Sequence, residues 1–395
     1  DTTPTVSGTA EAGSTVTLSS SIDGELGTGT ADGTTGTWTI TAGTLGDGTH
    51  DLTTTATDAA GNTGATSAGL TVTVDTVAPA VSVDSLGSND TTPPLTGTID
   101  DTNAVISVSV DGQTNVATNA GTTWSVADDV LVALADGTYD VSVTATDPAG
   151  NVGSDATSGE LIVDTTAPAA PGIPDLDAAS DTGSADDDDI TNNTAPTLVG
   201  TAEANSTVEL LSAGSVLGTA TADSSGNWSI TSNVLTEGDH SLTARQTDQY
   251  SNGPGPESAA ITISVDTTAP TVPSSLDMFA TSDTGSSSSD NNTQVTTPTL
   301  MALADPSSAI TLSSSLDGVV GTASANSSGI WLITSTALSE GDHDLTATAT
   351  DVAGNESVDS NALAVTIDIT APTTTATSLS TNDTQPALGG TVDDA

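Results

Sequence analysis

The chain is 395 residues long and carries a net charge of −51, with one Arg, no Lys and no Cys. Nucleic acid and anionic membranes are poor partners for such a chain, because both need Lys or Arg against phosphate, so no nucleic acid and no membrane insertion are expected. Disulfide scaffolds and Lys–Asn isopeptide crosslinks are excluded by the missing residue types, and no apolar run approaches the ~20 residues of a membrane span.

One phrase closes four strand-like runs: Val74-Asp75-Thr76-Val77-Ala78-Pro79 and its counterparts at 163–168, 265–270 and 367–372. Its aspartates, Asp75, Asp164, Asp266 and Asp368, stand 89, 102 and 102 residues apart, the size of an Ig-like sandwich. The predicted beads are 1–75, 76–164, 165–266, 267–368 and the start of a further one at 369–395. Bead one opens at Asp1 without Met, shows no signal peptide and lacks a first strand, as expected of a window cut from a longer protein.

Within bead one, Trp38-Thr-Ile marks a strand before strand F (50–57), and the loop Asp58-Ala-Ala-Gly-Asn62 leads to strand G (70–74). Bead two adds strand B at 94–99 and strand C at 105–110, then Trp124-Ser-Val, strand F from Tyr139 and the loop Asp147-Pro-Ala-Gly-Asn151. Beads three and four repeat the order, with B at 196–201 and 298–303, C at 206–211 and 309–314, and Trp at 228 and 331. Their F–G loops are Asp248-Gln-Tyr-Ser-Asn252 and Asp351-Val-Ala-Gly-Asn355. Period-two alternation, as in Tyr139, Val141, Val143 and Ala145, with Gly, Asp and Asn turns between runs, predicts an all-β tandem array of antiparallel Ig-like sandwiches forming an extended rod. Apolar residues reach 34%, which together with this patterning opposes disorder despite the scarcity of aromatics.

Strand direction places the carboxylates. The B–C and F–G loops fall at a bead's leading pole, and the end of G falls at its trailing pole against the next bead. Asp75 should then face Asp100, Asp101 and Asp147; Asp164 should face Glu203 and Asp248; Asp266 should face Asp305 and Asp351; Asp368 should face Asp393 and Asp394. Such clusters repel when bare, and with carbonyls and water they make the roughly six-to-eight oxygen cage of Ca²⁺, which suits them better than Mg²⁺. Beads three and four are also longer than bead two between strands A and B. The extra segment holds Asp181 with Asp188 in one bead and Asp283 with Asp290 in the other, a second expected Ca²⁺ site.

Other chemical-looking residues read as structural. His50, His240, His343 and Tyr139 share one repeat position and resemble a corner residue capping backbone at the start of strand F. The Trp residues are expected as core plugs rather than sugar platforms. Arg245 lies on the outward face of strand F, where acidic neighbours await it. Repeated carboxylate pairs do not make a glycosidase, and no nucleophile triad, phosphate loop or zinc spacing is present, so no enzyme is expected.

The Val-Asp-Thr-Thr-Ala-Pro joint, the Thr-Ala-Thr-Asp-x-Ala-Gly-Asn loop and the Ser-Asp-Thr-Gly-Ser loop resemble the bacterial Ig-like repeats of giant secreted, calcium-binding adhesins of Gram-negative bacteria. The resemblance implies an extracellular stalk at the bacterial cell surface, with Ca²⁺ at the joints and adhesive modules elsewhere. It implies ligand roles for Asp75, Asp164, Asp266 and Asp368 and for the F–G aspartates Asp58, Asp147, Asp248 and Asp351. Bead three departs from it with Gln249-Tyr250-Ser251, and bead two lacks the Ser-Asp-Thr-Gly-Ser loop. Expected partners are calcium ions, neighbouring repeats and other copies of the chain. The alternatives are a self-assembling filament or surface-layer subunit, through strand donation, and a carbohydrate-binding accessory array.

Overall fold

The computed structural model describes residues 1–381, 384, 385, 387 and 389–393. Among them all regular structure is strand, and no helix is long and apolar enough to cross a membrane. The chain divides into two compact units, 1–166 with 250–252, and 167–249 with 253–395.

Bead four shows the plan. One sheet takes A (Ser274–Met278), B (Thr299–Leu303) and E (Ile330–Thr334), and the other takes C′ (Gly318–Ser324), C (Ala309–Ser314), F (Gly341–Thr350) and G (Leu363–Ile367). Alternation dictates the faces: Ile310 and Leu312 are buried while Thr311 and Ser313 are half-buried on the other side. The core forms between the sheets from Leu300, Leu312, Trp331, Leu345 and Val365. Equivalent separate cores lie around Leu18 and Trp38, Ile106 and Trp124, and Leu210 and Trp228.

Trp38, Trp124, Trp228 and Trp331 are 7%, 1%, 3% and 1% exposed, as expected of core plugs. Burying a large aromatic stabilises by a few kcal/mol at ~25 cal/mol per Å². Each Trp on strand E faces a small residue of strand B: Gly8, Gly97, Gly200 or Ala302. A Cβ on Gly8 would sit 2.7 Å from the Trp38 ring, so the small residue makes room for the indole.

The corner residues also behave as the repeat position predicts. His50 Nε2 meets Gly46 O at 2.8 Å, His240 Nε2 meets Thr236 O at 2.7 Å and His343 Nε2 meets Ser339 O at 2.8 Å. Tyr139 Oη donates to Ala135 O at 2.7 Å, replacing the imidazole with the same reach. Arg245 Nε donates to Glu209 Oε2 across strands C and F at 2.6 Å.

Two features go beyond the sequence reading. Strand C′ carries so many Gly and Thr that its alternation is weak, as in Gly24–Thr30. The long A–B loops are not structureless: Ile190–Thr191 and Asn292–Thr293 pair in parallel with the ends of their own G strands. In the last segment, Thr373–Ala376 pairs with Gly390–Asp393. Asp393 closes that strand, and Asp394 lies outside the described residues.

Candidate functional site

In the first unit, the end of strand G of bead one meets the leading pole of bead two. Asp75, Asp100 and Asp101 line one cavity of about 520 Å³ there, beside Pro148 and Ala149 of the F–G loop. Asp75 and Asp101 are held within their own loops, Asp75 Oδ1 accepting from Val77 N at 3.0 Å and Asp101 Oδ1 from Asn103 N at 2.7 Å, while Asp100 Oδ1 accepts from Ala80 N, just past the linker, at 2.7 Å. Asp147 closes its loop by accepting from the amide and side chain of Asn151 at 2.8 and 2.7 Å. The same Asn151 Nδ2 donates to Asp75 O at 3.0 Å, so one amide ties the F–G loop to the preceding bead. Burial pushes the Asp147 carboxyl up, but the hydrogen bonds from Asn151, Gly150 and Ala149 together hold it below the usual carboxylate range.

The second unit repeats this between beads three and four. Asp266, Asp305 and Asp351 line a cavity of about 540 Å³ with Glu237. Asn355 Nδ2 donates both to Asp351 Oδ2 at 3.0 Å and to Asp266 O at 2.8 Å. Asp305 accepts from the Thr271 amide and hydroxyl, each at 2.7 Å, and these bonds lower its carboxyl, the amide most. Asp368 lines a cavity of about 360 Å³ with Glu340 and Thr370.

The other expected ligands are placed as follows. Asp58 closes the F–G loop of bead one, accepting from Asn62 at 2.8 and 2.9 Å. Asp164, in the first unit, accepts from Thr166 N at 3.0 Å, and its main-chain carbonyl accepts from Asn252 Nδ2 at 2.7 Å. In the second unit, Asp248 is buried, and Glu203 is exposed with its amide on Gln246 Oε1 at 2.8 Å. In the A–B loops, Asp181 and Asp283 are buried, each with an Oδ1 that has no hydrogen-bond partner. Their Oδ2 atoms accept from Asp189 N at 3.3 Å and Asn291 N at 3.2 Å. Burial raises the Asp181 carboxyl, and the charge of Asp188 adds to the rise. Asp188 and Asp290 cap the following turns through Ile190 N and Asn292 N.

One acidic position was missed. Asp47, Asp136, Glu237 and Glu340 all stand three residues before the corner residue, a constant spacing that could have revealed them. They hold the linker threonines: Thr76 and Thr165 donate to Asp47 and Asp136, while Thr267 and Thr268 donate to Glu237 at 2.8 Å each and Thr370 to Glu340. The joint is thus an all-oxygen site of carboxylates and carbonyls, the donor set of a hard divalent cation. Among the described residues, no three Asp, Glu, His or Cys side chains converge closely enough to hold a metal by themselves. The rest of an oxygen cage would have to come from carbonyls and water.

The family profile of the bacterial Ig-like domain matches residues 1–76, 82–165, 167–267 and 269–369. No curated protein matches the sequence. Among solved structures the chain is similar to a tetra-tandem repeat from the extending region of a large adhesion protein. That likeness is 23% identical over 93% of this chain and 96% of the other, with a TM-score of 0.27. It is also similar to a structure from a 1.5-MDa bacterial ice-binding adhesin, described for host cell surface retention. Here identity is 20% over 74% of this chain and 98% of the other, with a TM-score of 0.27.

Proposed function

The chain belongs to the bacterial Ig-like domain family, and from that premise we propose that it is a stalk segment of a bacterial surface adhesin, stiffened by Ca²⁺ at its joints. The observation that carries this reading is the joint of beads three and four. There Asp266, Asp305, Asp351 and Glu237 share one cavity, while Asn355 bridges the two beads. Like charges gathered at a joint repel one another, and with a net charge of −51 the chain has no cationic side chains to spare for them. A bound Ca²⁺ supplies the missing positive charge and a preference for oxygen ligands. Asn151 and Asn355 orient the joint carbonyls, and the threonines of the linker orient Asp47, Asp136 and Glu237. Asp181 with Asp188, and Asp283 with Asp290, form the additional loop sites.

The work is mechanical: the stalk projects a binding end from the bacterial cell. Outside the cell, calcium at millimolar levels fills sites of ~10⁻⁴–10⁻³ M affinity. The four Trp are buried, so none of them offers a sugar-stacking platform. Calorimetric Ca²⁺ titration of the metal-free full chain, paired with small-angle scattering, tests the reading. Binding at three or more sites with a longer maximum dimension supports it. No heat and unchanged scattering up to about 10 mM Ca²⁺, well above that affinity range, would sink it.

A further inference from the structure

The Ser-Asp-Thr-Gly-Ser loop of bead three does more than gather carboxylates. Its start is fixed from within: Thr191 Oγ1 donates to Ser180 O at 2.6 Å, and Thr197 N donates to Ser180 Oγ at 3.0 Å. Ile190 and Thr191 pair with Ser264 and Val265, and Asp266 N donates to Thr191 O at 2.9 Å. The loop is therefore seated beside the joint residue, at the trailing pole. From there it reaches the next bead. Thr182 Oγ1 accepts from Asn192 N at 2.8 Å and donates to Ala353 O at 2.6 Å, in the F–G loop of bead four.

Two glycines make the approach possible. A Cβ on Gly183 would lie 1.9 Å from Val352 O, and one on Gly354 would lie 3.0 Å from Gly183 N. Both residues have positive φ, +107° and +87°, which glycine adopts without strain. Ala353 is consequently 0% exposed. The same alanine in the F–G loops of beads one and two, Ala60 and Ala149, is exposed.

We propose that the Ser-Asp-Thr-Gly-Ser loop is a docking surface for the Asp-x-Ala-Gly-Asn loop of the following bead, forming a latch that holds the joint without metal. The occupant is specified by its chemistry: a carbonyl for the Thr hydroxyl, followed by a residue without a side chain. The chain itself carries the matching contrast. Bead two lacks the long loop, and bead three, which follows it, has Ser251 where the latched bead has Gly354. Bead four presents the same built surface. Thr293 Oγ1 donates to Ser282 O at 2.6 Å and Thr299 N to Ser282 Oγ at 3.0 Å, while Thr284 Oγ1 is 2.9 Å from Thr293 Oγ1. That surface is the receptor for another loop of the same kind.

The proposal goes beyond calcium stiffening, and its test runs in chelator so that the two can fail separately. The full chain has no Cys, so Val234→Cys and Val319→Cys, at exposed positions of beads three and four, accept spin labels cleanly. Double electron–electron resonance in excess EGTA reads the spread of inter-bead distances. Gly183→Ala is expected to widen the distribution at least twofold. Thr182→Val, close in volume but without the hydroxyl that accepts from Asn192 N and donates to Ala353 O, is expected to widen it less. Gly285→Ala in the loop of bead four is expected to leave it unchanged. Equal widths for the parent, Gly183→Ala and Thr182→Val would overturn the latch. Absence of any narrowing on adding Ca²⁺ would instead count against the calcium reading alone.

Discussion

The joint of beads one and two and the joint of beads three and four share their polar framework. Each gathers the Asp that follows strand G, one or two carboxylates of the next B–C loop and an Asn that bridges back to the joint carbonyl. They differ in what else crosses. Only the second has a loop from the preceding bead seated on the F–G loop, leaving Ala353 buried where Ala149 is exposed. Both joints rest on the Asn bridge, and the second adds a hydroxyl bond and two bare backbones in contact. In the first unit, a third contact fills the corresponding loop position: the Tyr250 ring lies over Gly87, where a Cβ would be 2.2 Å from ring Cε1. The Gln249-Tyr250-Ser251 departure of bead three thus coincides with a different packing of the same loop.

The largest effects come from breaking a bead rather than a joint. Trp331→Ala leaves a large cavity and should cost about 3–5 kcal/mol. It should also release the latch, because it loosens the bead that carries Ala353. Trp124→Ala should cost as much in bead two and leave the joint of beads three and four unchanged. Denaturant unfolding combined with the spin-label distances separates the two. The subtler pair sharpens this. Trp124 Nε1 donates to Ser82 O at 2.8 Å, whereas Trp331 Nε1 is buried without a partner. Trp124→Phe should therefore lose about 1 kcal/mol more than Trp331→Phe.

Removing calcium comes next. Chelation should widen the distances across the first joint, labelled at Ile22→Cys and Val132→Cys, more than across the latched one. Both pairs of positions are exposed, so the labels themselves perturb little. The far-ultraviolet β signal should largely persist in chelator, because each core lies between its own sheets, away from the poles. Equal widening at both joints would erase the contrast between them. Collapse of the β signal would mean that the beads need metal to fold.

Much of this was legible in the residues. Period-two alternation gave strands B, C, F and G nearly to the residue, because each buries one face against a single core. The corner position was readable because His and Tyr have the same reach to a carbonyl four residues earlier. Strand direction alone brought Asp75, Asp100 and Asp101 to one cavity and Asp266, Asp305 and Asp351 to another. The bridging role of Asn151 and Asn355 was hidden, since the loop motif equally explains Asn as a turn residue. The latch was hidden for a deeper reason. It is made by the absence of side chains at Gly183 and Gly354, and no chemical signal marks an absence.

Cutting a single bridge should act more gently. Asn151→Ala removes the bond to Asp75 O, and Asn355→Ala removes the bond to Asp266 O. Losing one such hydrogen bond should raise the open population of a joint about fivefold. The latched joint should absorb the loss better, so Asn151→Ala is expected to show the larger change in label distances. A larger change for Asn355→Ala would show that the latch depends on the Asn bridge rather than backing it up.

The smallest expected effect is set by pH, and it has opposite signs at two carboxylates of the second unit. Asp305 is lowered from the ordinary 3.8, chiefly by the Thr271 amide. Its contribution is present above that ordinary value and is lost as the pH falls through the lower folded one. Acid should therefore weaken the hold of bead four on its linker only below about pH 3.8. Asp181 is raised above the same ordinary value by burial. Its contribution is present below the ordinary value and is lost as the pH rises through the higher folded one, so at neutral pH the ionised group is a burden. Asp181→Asn should lift the melting temperature of bead three by about 2 °C at pH 7 in chelator, and by nothing near pH 3. With saturating Ca²⁺ the order should reverse, because the wild-type loop then gains a cation that the amide holds poorly. Calorimetric melting at both pH values, with and without Ca²⁺, reads all four corners. If the wild type fails to overtake Asp181→Asn in Ca²⁺, the A–B loop binds no calcium, and its task is the latch alone.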